Sequence, residues 1–225
     1  MIEVINLTKK YKKNVVLEHV NITICSGQIT FLMGENGAGK TSLIKSILDL
    51  EEYQGQVLFD NETIENAYGD ISAVFDDSPL YSGLSGYENI RLLCNKFLSK
   101  KESNSIALQL LNEIELNKKV KRYSYGQRKK LAIIIALLND PKYIFMDEVS
   151  NGLDYETMKK LKEMLKEYAK TKLVFLTGHQ FDFYSEIVDT VFIIKNKGII
   201  KYDVGSMEGE EKSLGWIYEN KIKDA

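Results

Sequence analysis

The sequence predicts an α/β fold: a mostly parallel sheet with helices on both faces, an antiparallel β lobe at the N-terminus, and a helical lobe inserted into the core. Three observations support this prediction. The first thirty residues alternate apolar and polar positions, residues Leu84 to Leu138 repeat apolar residues every three or four positions, and strands alternate with helices after Pro141. Because parallel strands are joined by helices that cross back over the sheet, this alternation indicates a covered parallel sheet.

The N-terminal part contains the predicted β lobe and the first strand of the core. Two short alternating segments, Ile2 to Ile5 and Val20 to Ile24, are typical of antiparallel strands with one face in water. The run Ile29 to Met33 is continuously apolar and ends at Gly34, which favours a buried parallel strand that leads into a tight turn. A helix is predicted from about Thr41 to Leu50.

The rest of the chain supplies the helical lobe and the remaining strands. In the lobe, approximately residues 78–140, apolar residues such as Ile90, Leu93 and Phe97 recur at helical spacing. The further predicted strands are Val57–Phe59, Ile71–Phe75, Tyr143–Met146, Leu173–Thr177 and Val191–Ile194, and a charged helix is predicted over Thr157–Lys170. Since the lobe lies within the sequence of the core, residues 1–225 are predicted to form a single domain.

Composition excludes several functional classes. The chain has 225 residues, 44% of them hydrophobic, and a formal net charge of −2, which gives no overall attraction to nucleic acid. No apolar run reaches the ~20 residues that a bilayer span needs, and the first residues do not resemble a signal peptide. Cys25 and Cys94 are far apart and lack the spacing of a zinc site. We therefore expect a cytoplasmic protein, and any role at a membrane must come through a partner chain.

The segment Gly34-Glu-Asn-Gly-Ala-Gly-Lys-Thr41 fits the phosphate-loop pattern G-x-x-x-x-G-K-[ST]. Glycines in such a loop let successive backbone N–H groups point at a phosphate, and the helix that follows adds the positive end of its dipole. Lys40 is predicted to reach the β- and γ-phosphates of a nucleotide, and the Thr41 hydroxyl to bind Mg²⁺. The alternative is a flexible glycine loop without a ligand, but the preceding apolar strand and the following helical pattern favour the site.

A second motif follows the predicted strand Tyr143–Met146. Asp147 stands at the carboxyl end of this strand, where it is placed to hold Mg²⁺ through water, and Glu148 is placed to orient or deprotonate an attacking water. Two adjacent carboxylates at the end of a buried strand are costly without cations, which favours a catalytic site over the alternative of an exposed turn.

Together with Tyr123-Ser-Tyr-Gly-Gln127, these two motifs resemble the nucleotide-binding subunit of ATP-binding cassette (ABC) transporters, over essentially the full chain. Ser124, Gly126 and Gln127 match the family's Leu-Ser-Gly-Gly-Gln signature, whereas Tyr125 replaces its first glycine. The resemblance implies a P-loop NTPase core and a signature that contacts the γ-phosphate of ATP held by the other subunit of a dimer. A serine hydroxyl and N–H groups at a helix start also make an anion site that this chain's own phosphate loop does not require.

The resemblance implies roles for further residues. Tyr11 matches an aromatic residue that stacks on adenine, and His179 matches the histidine that senses the γ-phosphate. Asp76, or Asp77 if the register shifts by one, takes the place of a glutamine that touches Mg²⁺ or the attacking water. The predicted catalytic residues are Lys40, Glu148 and His179, and the predicted metal ligands are Thr41, Asp76 and Asp147. The predicted nucleotide-binding residues are Tyr11, Gly34, Glu35, Asn36, Gly37, Ala38, Gly39, Lys40, Thr41, Ser42, Ser124, Gly126 and Gln127.

The resulting expectation is a Mg²⁺-dependent ATPase subunit that forms a dimer, expected to be a homodimer, around two ATP molecules and drives a separate transmembrane permease subunit. Exporters of peptide antibiotics and bacteriocins are similar in having an acidic residue in place of this glutamine, and this resemblance favours export. Two other functions stay open: a soluble ATPase of the same family in cofactor assembly or regulation and, with weaker support, a small-molecule kinase.

Overall fold

A computed structural model describes residues 1–94 and 100–223, so the predicted position of Phe97 lies outside the described residues. The strands are β1 Ile2–Tyr11, β2 Asn14–Ile24, β3 Gln28–Met33, β4 Gln54–Phe59, β5 Ile71–Val74, β6 Tyr143–Met146, β7 Leu173–Thr177, β8 Thr190–Lys195 and β9 Gly198–Asp203. The helices are α1 Lys40–Ile47, α2 Ile64–Ala67, α3 Gly86–Leu93, α4 Lys100–Leu110, α5 Glu113–Asn117, α6 Tyr125–Leu138, α7 Tyr155–Ala169, α8 Phe181–Ser185 and α9 Leu214–Tyr218.

The predicted N-terminal lobe is an antiparallel sheet in the order β2-β1-β4. Its two long strands are joined at a turn in which Lys12 has a φ of 55°. One face of this sheet carries apolar side chains such as Val4 and Leu7, which are buried, while intervening positions face solvent. The alternating sequence therefore produces the half-buried sheet that it predicts.

The second sheet has the order β5-β6-β7-β3-β8-β9 and is parallel except for the last pair. Alternate residues of each strand point to opposite faces, and both faces are covered. On one face, residues such as Phe31 and Leu176 pack with α6, α7 and α8. On the other, Leu32 and Phe175 pack against α1 and the antiparallel sheet. Burial on both faces explains why the core strands are apolar runs rather than alternating segments.

The strand β9 was not expected from the sequence. It pairs antiparallel with β8 through a tight turn at Asn196 and Lys197, which have φ values of 49° and 65°. Two successive residues of positive φ match the backbone twist of a two-residue hairpin. The turn lacks the glycine that usually marks such a hairpin and residues of β9 such as Lys201 are exposed, so the sequence pattern does not indicate this strand.

The predicted helical lobe contains α3, α4, α5 and α6. The apolar segment Leu131–Leu138 of α6 is buried, as its composition predicts, and α6 packs against β5 at the edge of the main sheet. Among residues 1–94 and 100–223, no helix is both long enough and apolar enough to cross a membrane.

Candidate functional site

The residues singled out by the two motifs lie together at one end of the strands of the main sheet. The strands β3, β5, β6 and β7 run parallel, so their carboxyl ends lie on the same side. The phosphate loop leaves β3, Asp147 and Glu148 leave β6, and His179 follows β7 by two residues. Chain segments far apart in sequence therefore meet where open α/β sheets bind their ligands.

The phosphate loop is shaped by glycines at positions of positive φ. Gly37 and Gly39 have φ values of 78° and 108°, and a Cβ added at Gly39 would lie 2.6 Å from Cγ1 of Val16. Gly39 lies directly before α1, whose N-terminal N–H groups thus face the loop. The sequence dictates this shape because residues with side chains rarely adopt such a conformation.

The Lys40 side chain folds back over the phosphate loop. Its Nζ donates hydrogen bonds to the carbonyl oxygens of Gly34 at 3.0 Å and Glu35 at 3.1 Å. Burial lowers the pKa of the Lys40 ammonium, an effect that the nearby carboxylates of Glu148 and Asp147 oppose. An ammonium held at the centre of a loop with these N–H groups is positioned for a phosphate oxygen.

Asp147 links the phosphate loop to two strand ends. The Thr41 hydroxyl donates to Asp147 Oδ2 at 2.7 Å, and the Thr177 hydroxyl donates to the other carboxylate oxygen. Thr41 and Asp147 together offer hard oxygen ligands of the kind that Mg²⁺ accepts beside substrate phosphates. Thr177 was not predicted; its position follows from the register, in which Met146 pairs with Leu176, so that residues 147 and 177 leave the sheet side by side.

Glu148 has an unusual backbone conformation and a carboxylate held from two sides. Its φ is 50°, and its backbone N–H donates to the Thr177 hydroxyl at 3.1 Å. His179 Nε2 lies 3.2 Å from Glu148 Oε1, and Asn151 Nδ2 donates to Oε2 at 2.7 Å. The structure brings Glu148 and His179 together, and it adds Asn151 as a further partner of the Glu148 carboxylate.

Tyr11 lies beside α1, and its side chain is partly exposed. Its hydroxyl is 3.0 Å from Ser42 Oγ and also donates to the carboxylate of Glu51. The Lys9 ammonium lies 4.5 Å from the centre of the Tyr11 ring and covers one ring face. The aromatic ring thus stands next to the helix that the phosphate loop opens, with its orientation fixed by polar contacts.

The signature segment begins α6 as predicted. Ser124 Oγ accepts from the Gln127 N–H at 3.2 Å, and Gln127 Oε1 accepts from the Ser124 N–H at 3.0 Å, a capping box. Gln127 Nε2 also donates to Glu115 at 2.7 Å. Ser124 is exposed, and in the described part of the chain no hydrogen bond joins residues 124–127 to the phosphate loop.

Tyr125, which replaces the family's glycine, lies between the loops that follow β5 and β6. Its ring packs on Gly152, where a Cβ would clash with the ring, and its hydroxyl donates to Asp76 Oδ1. Lys129 Nζ donates to the same oxygen at 2.9 Å. The hydrogen bonds from Tyr125 and Lys129 lower the pKa of the Asp76 carboxyl, and burial together with Asp76 raises the pKa of Tyr125 to about 12. Asp76 thus has two partners on α6, and its predicted role as a metal ligand stays a prediction.

Comparison with known proteins identifies the family. A family profile described as ABC transporter matches residues 17–151. The chain is 29% identical over 230 residues to the lantibiotic transport ATP-binding protein SrtF of Streptococcus pyogenes, covering 99% of this chain and 97% of that protein. It is also similar to a solved ATP-binding subunit of an ABC transporter, with a TM-score of 0.82 and 25% identity over 100% of this chain and 95% of the other.

A further similar structure is a dimeric, post-hydrolysis state of the ATP-binding cassette MJ0796 bound to ADP and Pi, with a TM-score of 0.76 and 26% identity over 90% of this chain and 98% of that one. The predicted fold class and ATPase activity are confirmed, and the alternative of a cofactor-assembly ATPase is not favoured. The roles of individual residues stay predictions. The chain belongs to the ABC transporter family, as one of its ATP-binding and ATP-hydrolysing subunits.

Proposed function

We propose that two copies of this chain, acting as a single domain over residues 1–225, enclose two ATP molecules between them, each between one copy's phosphate loop and the other copy's signature segment. The observation that carries this proposal is the exposure of Ser124 at the start of α6, with no hydrogen bond from residues 124–127 to the described phosphate loop. An anion site at a helix start needs an anion. The dimeric MJ0796 structure with ADP and Pi supports a second copy as the source.

In this proposal, Lys40 and the loop N–H groups bind the phosphates, while Tyr11 stacks on the adenine. Thr41 and Asp147 hold Mg²⁺, and the Thr177 hydroxyl keeps the Asp147 carboxylate in place. When bound, Mg²⁺ neutralises charge on the phosphate oxygens. The Thr41 to Asp147 hydrogen bond shows that the two ligands already lie within reach of one another.

Glu148 then takes the proton from the water that attacks the γ-phosphate. His179 and Asn151 fix the two oxygens of its carboxylate, so the proton acceptor is positioned before ATP arrives. An imidazole beside both Glu148 and the γ-phosphate also has a donor for the developing charge. Once the phosphate leaves, the contact from Ser124 of the second copy is lost and the two copies separate.

Binding and hydrolysis in this cycle drive a separate transmembrane permease, and the chain lies at the cytoplasmic face of the membrane through that partner. The chain resembles SrtF over nearly its full length, and SrtF is described as a lantibiotic transport protein. We therefore infer export of a peptide antibiotic or a related molecule. Copurification of the chain with a multi-span protein from detergent-solubilised membranes tests this assignment, and a chain recovered only from the soluble fraction would contradict it.

A mixing experiment tests the shared sites. Lys40→Ala removes the phosphate-loop ammonium, and Ser124→Asp retains a good helix cap while it places a negative charge against the phosphate. Each variant alone should lose ATPase activity. Mixed after dissociation and reassociation, the two variants form heterodimers with one intact site, so about a quarter of the wild-type activity should return if the sites act independently.

The control is Ser213→Asp, which adds the same charge at another exposed serine cap, at the start of α9. This variant alone should keep its activity, and mixing it with Lys40→Ala should give only the additive activity of its own homodimers and mixed dimers. If the Lys40→Ala and Ser124→Asp mixture stays inactive although heterodimers are detected, the shared-site arrangement is wrong.

A further inference from the structure

Lys129 is a charged residue buried inside the protein. It lies in the second turn of α6, and its side chain is 1% exposed. Lysine is almost never buried to this degree unless its charge is paired, because an unpaired ammonium loses its hydration. In the described part of the chain the one carboxylate that pairs with Lys129 is Asp76, at 2.9 Å.

Tyr125 reaches the same carboxylate from one helical turn earlier. Tyr125 and Lys129 are four residues apart and lie on one face of α6. Both donate to Asp76 Oδ1, and Lys129 Nζ lies 5.8 Å from the centre of the Tyr125 ring. We name Asp76, Tyr125 and Lys129 the interlobe cluster, since Asp76 follows β5 of the main sheet and the other two belong to the helical lobe.

The interlobe cluster lies next to the segment that the second copy must reach. Tyr125 directly follows Ser124, and its ring rests on Gly152 in the loop after Glu148. A Cβ at Gly126 would lie 2.5 Å from the Gly152 carbonyl oxygen, so the start of α6 fits closely against that loop. A displacement of α6 relative to β5 would therefore move Ser124 relative to the strand ends at which the nucleotide is proposed to bind.

We propose that Asp76 is the counter-ion of Lys129, and that the interlobe cluster positions the Ser124 segment and thereby sets the affinity between two ATP-loaded copies. Asp76 is then a positioning residue, in place of the metal-touching role that the sequence suggests. The reason is the buried ammonium: Lys129 needs a counter-ion, and Oδ1 of Asp76 accepts from both Lys129 and the Tyr125 hydroxyl. The effect on dimer affinity rests on the proposed function, whereas the ion pair itself does not.

The ion pair is tested in protein without nucleotide by a double-mutant cycle. Asp76→Asn leaves a buried ammonium unpaired, and Lys129→Met removes the charge but keeps the apolar length of the side chain. We expect Asp76→Asn to lower the thermal midpoint by roughly 3–8 °C for a chain of this size. The double variant should regain at least half of that loss. Additive losses in the double variant would overturn the ion-pair part of the proposal.

Lys130→Met is the matched control for Lys129→Met. Lys130 is the next residue of α6 and also makes an ion pair, with Asp154 at 2.7 Å, but it does not contact Asp76. The losses in thermal midpoint caused by Lys130→Met and Asp76→Asn should therefore add in the double variant. Rescue of Asp76→Asn by Lys130→Met as well would mean that reduced positive charge alone explains the effect, and the proposal would be wrong.

The positioning role is tested on ATP-dependent dimers in a Glu148→Gln background, by sedimentation. Asp76→Asn should raise the dissociation constant of the dimer roughly tenfold or more, while the ATP affinity of the monomer stays within about twofold of its original value. Adding Lys129→Met to Asp76→Asn should restore part of the lost dimer affinity. If Asp76 instead acts through the metal, Asp76→Asn weakens Mn²⁺ binding in the ATP complex and Lys129→Met does not restore the dimer. If Glu148→Gln itself forms no dimers with ATP, the proposed function and the dimer part both fail, while the thermal cycle still decides on the ion pair.

Discussion

The chain has two segments suited to a phosphate, and they are built differently. The phosphate loop is enclosed by the main sheet: its glycines have positive φ, Lys40 is buried, and Asp147 ties it to two strand ends. The Ser124 segment is exposed at a helix start and is fixed by side-chain contacts to Glu115, Gly152 and Asp76. Backbone topology therefore fixes the first segment, whereas a few side chains fix the second. Changes in the first should affect nucleotide binding, and changes in the second should affect assembly.

Lys40→Ala should have the broadest effect, because it acts on the first segment and impairs both ATP binding and turnover. Loss of the ammonium removes charge-assisted contacts with the β- and γ-phosphates, so ATP affinity or turnover should fall by about 10²-fold or more. Isothermal titration with ATP and a phosphate-release assay measure both quantities. Lys45→Ala is the control, because Lys45 lies on the same helix and pairs with Glu51 at its far end. Equal activity of Lys40→Ala and the wild type would contradict the phosphate site.

Glu148→Gln should separate hydrolysis from binding. The amide keeps the size of the side chain but cannot take a proton from water, so single-turnover hydrolysis should slow by about 10²- to 10⁴-fold. ATP-bound dimers should persist, and they are measurable by light scattering. Glu156→Gln, at an exposed position of α7, should leave both quantities unchanged. A Glu148→Gln chain that stays monomeric at saturating ATP would mean that the two segments do not meet across a dimer.

Gly126→Ala should affect the second segment alone. The added Cβ would lie 2.5 Å from the Gly152 carbonyl oxygen, so the start of α6 must shift, at a cost of about 1–3 kcal/mol. We expect weaker dimers and a lower thermal midpoint with unchanged ATP affinity of the monomer. Gly83→Ala is the control, since its Cβ would meet nothing within 4 Å. A loss of monomer ATP affinity in Gly126→Ala would show that the two segments are not independent.

Tyr125→Phe should have the smallest effect. The ring remains on Gly152 and only the hydrogen bond to Asp76 is lost, which costs about 0.5–1.5 kcal/mol for a partly exposed group. The thermal midpoint should fall by a few degrees at most, and dimer affinity should fall by less than in Gly126→Ala. Differential scanning fluorimetry and sedimentation check this order. If Tyr125→Phe loses more dimer affinity than Gly126→Ala, the Tyr125 hydroxyl matters more for the dimer than the close contact between Gly126 and Gly152.

Local patterns predicted most of the fold. The apolar runs at Tyr143–Met146 and Leu173–Thr177 are strands with the predicted bounds, because burial on both faces leaves an unmistakable composition. The helix predicted to begin at Thr157 begins instead at Tyr155, since Asp154 caps it through the Thr157 N–H. The strand β9 was missed because it is a short edge strand and its turn at Asn196 and Lys197 contains no glycine.

The candidate site was predictable as far as its motifs reach. Lys40, Thr41, Asp147 and Glu148 stand in short patterns with a chemical reason for each residue. Thr177, Asn151 and Lys129 were not predicted as partners, because each depends on which side chain meets it from another part of the chain. Such contacts follow from strand register and helix packing, and these become visible only in the folded structure.

The backbone of Glu148 carries a further consequence. A residue other than glycine at a φ of 50° is disfavoured by about 1–2 kcal/mol, so the backbone conformation of Glu148 lowers the stability of the folded protein. Glycine or asparagine at this position should raise thermal stability, but under the proposed mechanism either residue would remove the proton acceptor. Position 148 is therefore where durability and turnover compete, and stability screens of this chain should be paired with an activity screen.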